Sequence, residues 1–183
     1  MLRFSNHSSS DIFFIQILFL TVIILSCKNN PQPSLKTHHF TMMDDSLIKY
    51  NKGIVKNEEQ AIDDFILRYG WKMTKTSTGI RIMNYYQGKG EKAVIDKTVV
   101  FRYEVRLLDG DLCYSSVNDG NREIRLGHTP SETGLQEGIL LMKVGDKAKI
   151  IVPSHLAFGL IGDQNKIPPR SALIYDIELL KVK

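Results

Sequence analysis

From Val99 to Leu107 the chain alternates: Val99, Phe101, Tyr103, Val105 and Leu107 fall on one face, and Arg102, Glu104 and Arg106 share the other with Val100. Successive side chains of a strand point to opposite faces, so this pattern predicts an antiparallel strand with one face on a core and the other toward water. Two later stretches repeat it. Ala148, Ile150 and Val152 alternate with Lys147, Lys149 and Ile151, and Leu173, Tyr175, Ile177 and Leu179 alternate with Asp176 and Glu178. Asp109-Gly110, Asn118-Asp119-Gly120-Asn121 and Val144-Gly145-Asp146 carry turn-forming residues, and Ile124 with Leu126 predicts a short strand. One segment among the strands has a helical period instead: Leu135, Ile139 and Met142 recur at i, i+4, i+7 between Pro130 and Lys143, with Thr129 or Ser131 as candidate caps. The expected class is α+β, an antiparallel sheet whose apolar face is covered by a short helix.

Upstream, Asn57-Glu58-Glu59-Gln60 reads as a helix start, with Asn57 as N-cap, Gln60 placed for a capping box and acidic residues at the positive end of the dipole. Ile62, Phe65, Ile66 and Tyr69 then form one apolar stripe and Gly70 ends the helix. The stripe can pack on the domain or on a second copy, so a homodimer stays open. Lys72 to Tyr86 is expected to fold as a β-hairpin around Ser77-Thr78-Gly79.

The first segment is read as an address. Ile12 to Leu25 is an apolar run too short for a confident bilayer span but suited to a signal peptide, although Arg3 is the one fixed positive side chain before it. It ends in Ile24-Leu25-Ser26-Cys27, similar to a bacterial lipobox, which makes Cys27 the expected lipidation site after loss of residues 1–26. Residues 27–56 contain Pro31 and Pro33 and no sustained periodicity, so a flexible tether is expected there. Residues 57–97 then form a helix and hairpin extension, and 98–183 the main domain.

Composition excludes several other classes. With 24 Lys+Arg against 20 Asp+Glu the net charge is only +4, and the basic residues are spread out, which argues against nucleic-acid binding. Two cysteines, Cys27 and Cys113, make no disulfide framework. His38-His39 has no third ligand nearby, so no metal is expected.

The order of motifs along residues 98–182 is specific. Val100-Phe101-Arg102-Tyr103, Leu107-Leu108-Asp109-Gly110, Ser115-Ser116, Leu126-Gly127, Gly134-Leu135-Gln136-Glu137-Gly138 and Val144-Gly145-Asp146-Lys147-Ala148 are followed by Val152 to Gly159, Ile167-Pro168-Pro169 and Leu173 to Leu180. This set resembles the FKBP-type peptidyl-prolyl isomerases. With the lipobox and tether, the chain is similar to FKBP-type envelope lipoproteins associated with gliding motility. The resemblance implies a twisted antiparallel sheet wrapped around a short helix, with an apolar proline pocket between them. It implies rotation of an X-Pro amide without nucleophile, metal or cofactor.

By position, the resemblance makes Tyr103, Leu135, Phe158, Ile167 and Tyr175 pocket residues, with the backbone N–H near Glu132 as donor to the client carbonyl. Departures from the family pattern are as informative. Cys113-Tyr114 stands where the family places Phe-Asp, Leu135 where a Trp is common, and Phe158 where a Tyr supplies a hydroxyl. Arg122 and Ser131-Glu132 stand where the family is apolar. Tyr114 is expected to replace one lost polar function, and Cys113 to be a pocket wall or a small buried hydrophobe. The implied activity is a foldase acting on X-Pro bonds of exported envelope proteins, lipid-anchored and facing the periplasm, with the outer membrane as the expected site. The alternative is a catalytically weak binding module or chaperone in an envelope assembly. Its partners are proline-containing polypeptides and, through the anchor, a membrane.

Overall fold

A computed structural model describes residues 38–129 and 132–183 of the chain. The expected signal segment, Cys27 and the candidate cap Ser131 lie outside the described residues. The chain divides into Met1–Asp45 and Ser46–Lys183, and the sheet and its core belong to the second unit.

Seven strands form one sheet: β1 (Thr74–Lys75), β2 (Arg81–Tyr86), β3 (Thr98–Leu107), β4 (Leu112–Ser115), β5 (Arg122–Arg125), β6 (Lys147–Val152) and β7 (Leu173–Val182). Their spatial order is β1-β2-β6-β7-β3-β4, with β5 also paired to β3, and every pairing is antiparallel. The expected hairpin is present as β1 and β2, with Thr74 opposite Ile82. The long central pair places Tyr103 opposite Ile177 and Val105 opposite Tyr175, so the aromatic residues of two strands distant in sequence share one face.

That face is the core. Val99, Phe101, Val105, Ile150, Val152, Leu173, Ile177 and Leu179 are buried there with Leu135, Ile139 and Met142. The helix supplying Leu135 and Ile139 is the expected short one, α3 (Thr133–Leu140). It lies very close to β6. A Cβ at Gly134 would stand 2.4 Å from Val152 Cγ1, and one at Gly138 2.6 Å from Ile150 Cδ1, so these glycines permit the approach. Its cap differs from expectation: Glu132 occupies the N-cap position without a side-chain capping bond, while Thr129 Oγ1 accepts from Arg125 N at 2.8 Å. The Glu132 carboxylate is engaged elsewhere, as described below.

The N-terminal helix, α1, runs His38–Tyr69, so residues 38–56 are helical and not a flexible tether. Asn57 lies inside it and Gln60 bonds Asp64 at 2.8 Å instead of closing a capping box. Between Pro33 and Gly70 the sequence has no proline and a single glycine, Gly53, so nothing stops a helix nucleated by the packed C-terminal turns from propagating backward. Gly70, at φ +64°, ends it as expected.

Ile62 and Phe65 are buried against Ile151, Ala172 and Ile174 on the sheet face opposite α3. This accounts for Ile151, the one apolar residue on the otherwise charged face of β6. Arg81, only 2% exposed, donates to Gly79 O at 2.6 Å and to Asp63 at 2.9 Å, tying the hairpin to the same helix. A one-turn helix, α2 (Ser116–Asp119), replaces part of the expected loop, because the Ser115 hydroxyl accepts from Val117 N at 3.2 Å.

Candidate active site

Between the start of α3, the β3–β7 pair and the loop after residue 157 lies a cavity of about 390 Å³. β3 contributes Tyr103 and Val105, β7 contributes Tyr175, and Phe158 and Ile167 come from the loop. Five of the sequence-predicted residues (Tyr103, Tyr114, Phe158, Ile167 and Tyr175) therefore meet at one cavity, and Glu132 joins them. Cys113 and Leu135 do not line it. Cys113 is 3% exposed, with its thiol toward the carbonyls of Asp111 and Lys166, and burial pushes that thiol up from its usual pKa. Leu135, on the core side of α3, is completely buried. Cys113 is thus the small buried hydrophobe of the two readings.

The loop is held by Asp163. One oxygen of its carboxylate accepts from Asn165 N at 2.9 Å and Ile167 N at 2.7 Å, and the other accepts from the Tyr114 hydroxyl. Gly162, at φ +67°, permits the tight return, since a Cβ there would lie 2.1 Å from Ile167 O. Burial favours the protonated acid, but these donors outweigh it and hold Asp163 below its usual value, while the same bond pushes the Tyr114 hydroxyl up. Lys166 Nζ sits 5.0 Å from the Tyr114 ring centroid. A carboxylate thus occurs beside the pocket, supplied by the loop and not by the strand position before Ser115.

On the opposite wall stands a polar cluster. Arg122, on β5, donates to Glu132 from Nη2 at 3.0 Å and from Nη1 at 3.4 Å, and the Tyr175 hydroxyl donates to Glu132 Oε1 at 2.9 Å. The Glu132 side chain is 5% exposed and that of Arg122 30%. Burial opposes charge on Arg122, but the Glu132 carboxylate outweighs it and holds the guanidinium protonated; burial and Glu132 together push Tyr175 well up. Burial, then the charge of Asp119, push Tyr103 up. All three tyrosines of the cavity are therefore hydroxyl donors at neutral pH.

The Glu132 backbone N–H has no acceptor among the described residues. It stands at the amino end of α3, where peptide dipoles favour an incoming oxygen. Val105, Asp163 and Asn165 complete the lining and were missed at the sequence level. Val105 carries a readable signal, its shared strand face with Tyr103. Asp163 and Asn165 read only as turn residues. Among the described residues no helix is long and apolar enough to cross a membrane, and no cluster of three His, Cys, Asp or Glu could hold a metal.

Comparison with known proteins gives consistent results. The family model described as FKBP-type peptidyl-prolyl cis-trans isomerase matches residues 89–180. The FKBP-type peptidyl-prolyl cis-trans isomerase FkpA of Escherichia coli is 39% identical over 110 residues, 59% of this chain and 39% of its own. FK506-binding protein 2 of Yarrowia lipolytica is 37% identical over 112 residues, 61% of this chain and 78% of its own. The chain thus spans about two fifths of FkpA and most of the smaller relative. The crystal structure of FkpA from Escherichia coli superposes with a TM-score of 0.62 at 27% identity, covering 98% of this chain and 84% of that one.

Proposed function

Because the chain belongs to the FKBP-type peptidyl-prolyl cis-trans isomerase family, we propose that it catalyses rotation about X-Pro bonds in this cavity. The observation that carries the reading is the Glu132 N–H, without an acceptor among the described residues, beside an apolar recess of Val105, Phe158 and Ile167. Water hydrogen-bonds the planar, charge-separated amide better than the twisted one, so transfer into the recess favours the twisted state. A fixed donor for the rotated carbonyl adds to the effect. The uncatalysed barrier is roughly 18–20 kcal/mol, and a thousandfold acceleration asks the site for only about 4 kcal/mol. Tyr103, Tyr114, Phe158 and Ile167 are the side chains placed to contact the client.

The clients, by this reading, are exported envelope proteins whose proline isomerisation otherwise takes tens to hundreds of seconds. The lipobox-like Ile24-Leu25-Ser26-Cys27 supports anchoring through Cys27 on the periplasmic side of the outer membrane, in the manner of gliding-associated lipoproteins. A homodimer would use Leu47, Ile48, Tyr50 and Val55 of α1, which are exposed, because Ile62 and Phe65 are committed to the chain's own sheet.

NMR exchange on Xaa-Pro peptides with residues 28–183 tests the activity. Acceleration by the wild type that is abolished by Tyr103→Ala and Phe158→Ala is the expected result. A folded domain that binds peptides without accelerating exchange supports the second reading, a binding module. The observation favouring that reading is the charged wall of Arg122 and Glu132 opposite Phe158, which lacks a hydroxyl.

A further inference from the structure

We propose that Glu58 on α1 is a positioning residue for the reaction: through Ser154 it fixes Phe158 in the wall of the cavity. The inference rests on the isomerase reading, in which Phe158 contacts the client. Glu58 lies outside the segment that matches the family, residues 89–180.

Phe158 has no strand or helix of its own to hold it. It follows a single 3-10 turn, Ser154–Leu156, and both of its neighbours are tied to one atom. Ala157 N and Gly159 N donate to Ser154 O at 3.0 and 2.8 Å. The backbone of Phe158 is therefore where Ser154 puts it. Gly159 O in turn accepts from Arg170 N at 2.8 Å, so the segment returning from Ile167 is built on the same frame.

Ser154 is not set by its own loop. The first N–H groups of a helical turn have no acceptor inside it, and Pro153, at the N-cap, has no side-chain acceptor to offer. Glu58 supplies the acceptor from 96 positions away: Oε1 accepts from Ser154 N at 2.9 Å and Oε2 from the Ser154 hydroxyl at 3.0 Å. Both bonds are charge-assisted, and two oxygens on two donors of one residue fix its orientation as well as its position. The neighbouring acids of α1 have other partners. Glu59 bonds Lys75 and Asp63 bonds Arg81, joining helix to hairpin, whereas Glu58 reaches the cavity loop. The far end of the turn rests on α3, where Thr133 Oγ1 donates to Leu156 O at 3.4 Å. That one long bond leaves the tilt of the turn to Glu58.

The test uses the full chain in detergent micelles, with Glu58→Ala, Glu58→Gln, Phe158→Ala and the Glu58→Ala/Phe158→Ala pair. Alanine is the best helix former, so Glu58→Ala does not weaken α1 through propensity. It is expected to lower kcat/KM for Xaa-Pro peptides and to weaken their Kd, each by about fivefold. Amide exchange at Ala157 and Gly159 without peptide should rise about tenfold, with β7 unchanged. Glu58→Gln keeps an acceptor for Ser154 N and gains a donor for the Ser154 hydroxyl oxygen, so it should stay within about twofold of wild type. In the Phe158→Ala background, Glu58→Ala should have no further effect on Kd, because a residue that acts through Phe158 has nothing left to position. Equal loss in both backgrounds, faster exchange across β7 as well, or unchanged exchange at Ala157 and Gly159 overturns the proposal. If no peptide is isomerised the activity reading fails by itself, and the Kd cycle and the exchange rates still decide the role of Glu58.

Discussion

The Tyr114 hydroxyl on β4 donates to the Asp163 carboxylate across 49 positions of sequence, and the other oxygen of that carboxylate holds the Ile167 backbone N–H at 2.7 Å. A single acid thereby couples the edge of the sheet to the apolar end of the cavity. The placement of Ile167 depends on it, because the residue sits in a loop with no strand or helix to position it.

Tyr114→Phe removes one donor from Asp163 and keeps the ring under Lys166. The expected cost is about 1 kcal/mol, read as a several-fold weaker affinity for Xaa-Pro peptides. Amide hydrogen exchange in residues 163–167 should be faster than in wild type. Unchanged affinity and unchanged exchange would show that the two backbone N–H groups hold the loop alone.

Asp163 also sets a pH dependence. Its folded pKa is depressed below the unfolded carboxylate value of about 3.9, so its contribution to stability is present above that value and is lost as pH falls through the folded pKa. The Tyr114 hydroxyl, raised from its usual value, contributes below about pH 10 and loses its contribution as pH rises through its folded value. Peptide affinity attributable to this loop should therefore be flat between about pH 5 and 9. Titration of wild type against Tyr114→Phe checks it, with the difference between them collapsing at the acidic end.

Gly134→Ala and Gly138→Ala should separate. Alanine gains roughly 1 kcal/mol of helix propensity at either position. At Gly134 the new Cβ meets Leu156 Cβ at 3.0 Å, which moves only with the backbone, and Val152 Cγ1 at 2.4 Å, on a branched side chain that is stiff at χ1. At Gly138 the nearest atom is the Ile150 Cδ1 tip, which a rotamer change can move aside. Gly134→Ala is expected to destabilise by about 1–3 kcal/mol and Gly138→Ala by less, measured by urea unfolding.

Phe65→Ala tests the attachment of α1. Phe65 is 5% exposed and stacks near Tyr69 and Trp71 at 4.4 and 5.3 Å between ring centroids. Its truncation should cost about 3–5 kcal/mol and expose the Gly70-Trp71 link to limited proteolysis. Equal protease resistance in both proteins would mean that Ile62 and Arg81 suffice to hold the helix.

Periodicity and motif order, both local properties, made the central strands, the short helix on the apolar face and the FKBP resemblance readable from the chain alone. Tyr103, Phe158, Ile167 and Tyr175 could be named in advance because each sits inside one of those motifs. The extent of α1 was not readable. Its exposed upstream turns show little apolar periodicity, and their helicity follows from the docking of Ile62 and Phe65 on Ile151 and Ile174.

The polar side of the cavity is where sequence and structure part. Arg122 and Glu132 each looked like an isolated departure from an apolar pattern, and Asp163 like an ordinary turn residue. Whether a buried charge is a defect or a functional group depends on its partner in space. Glu132 finds Arg122 ten positions away and Tyr175 forty-three positions away only once β5 and β7 have both joined β3. The sequence by itself determined the sheet, the helix and part of the cavity lining, Tyr103, Phe158, Ile167 and Tyr175, because strand and helix periods and motif order are written in neighbouring residues. Tertiary structure alone decided the ion pair, the Tyr114–Asp163 link and the exclusion of Cys113 and Leu135 from the cavity lining, because burial and hydrogen bonding exist only between segments that folding has brought together.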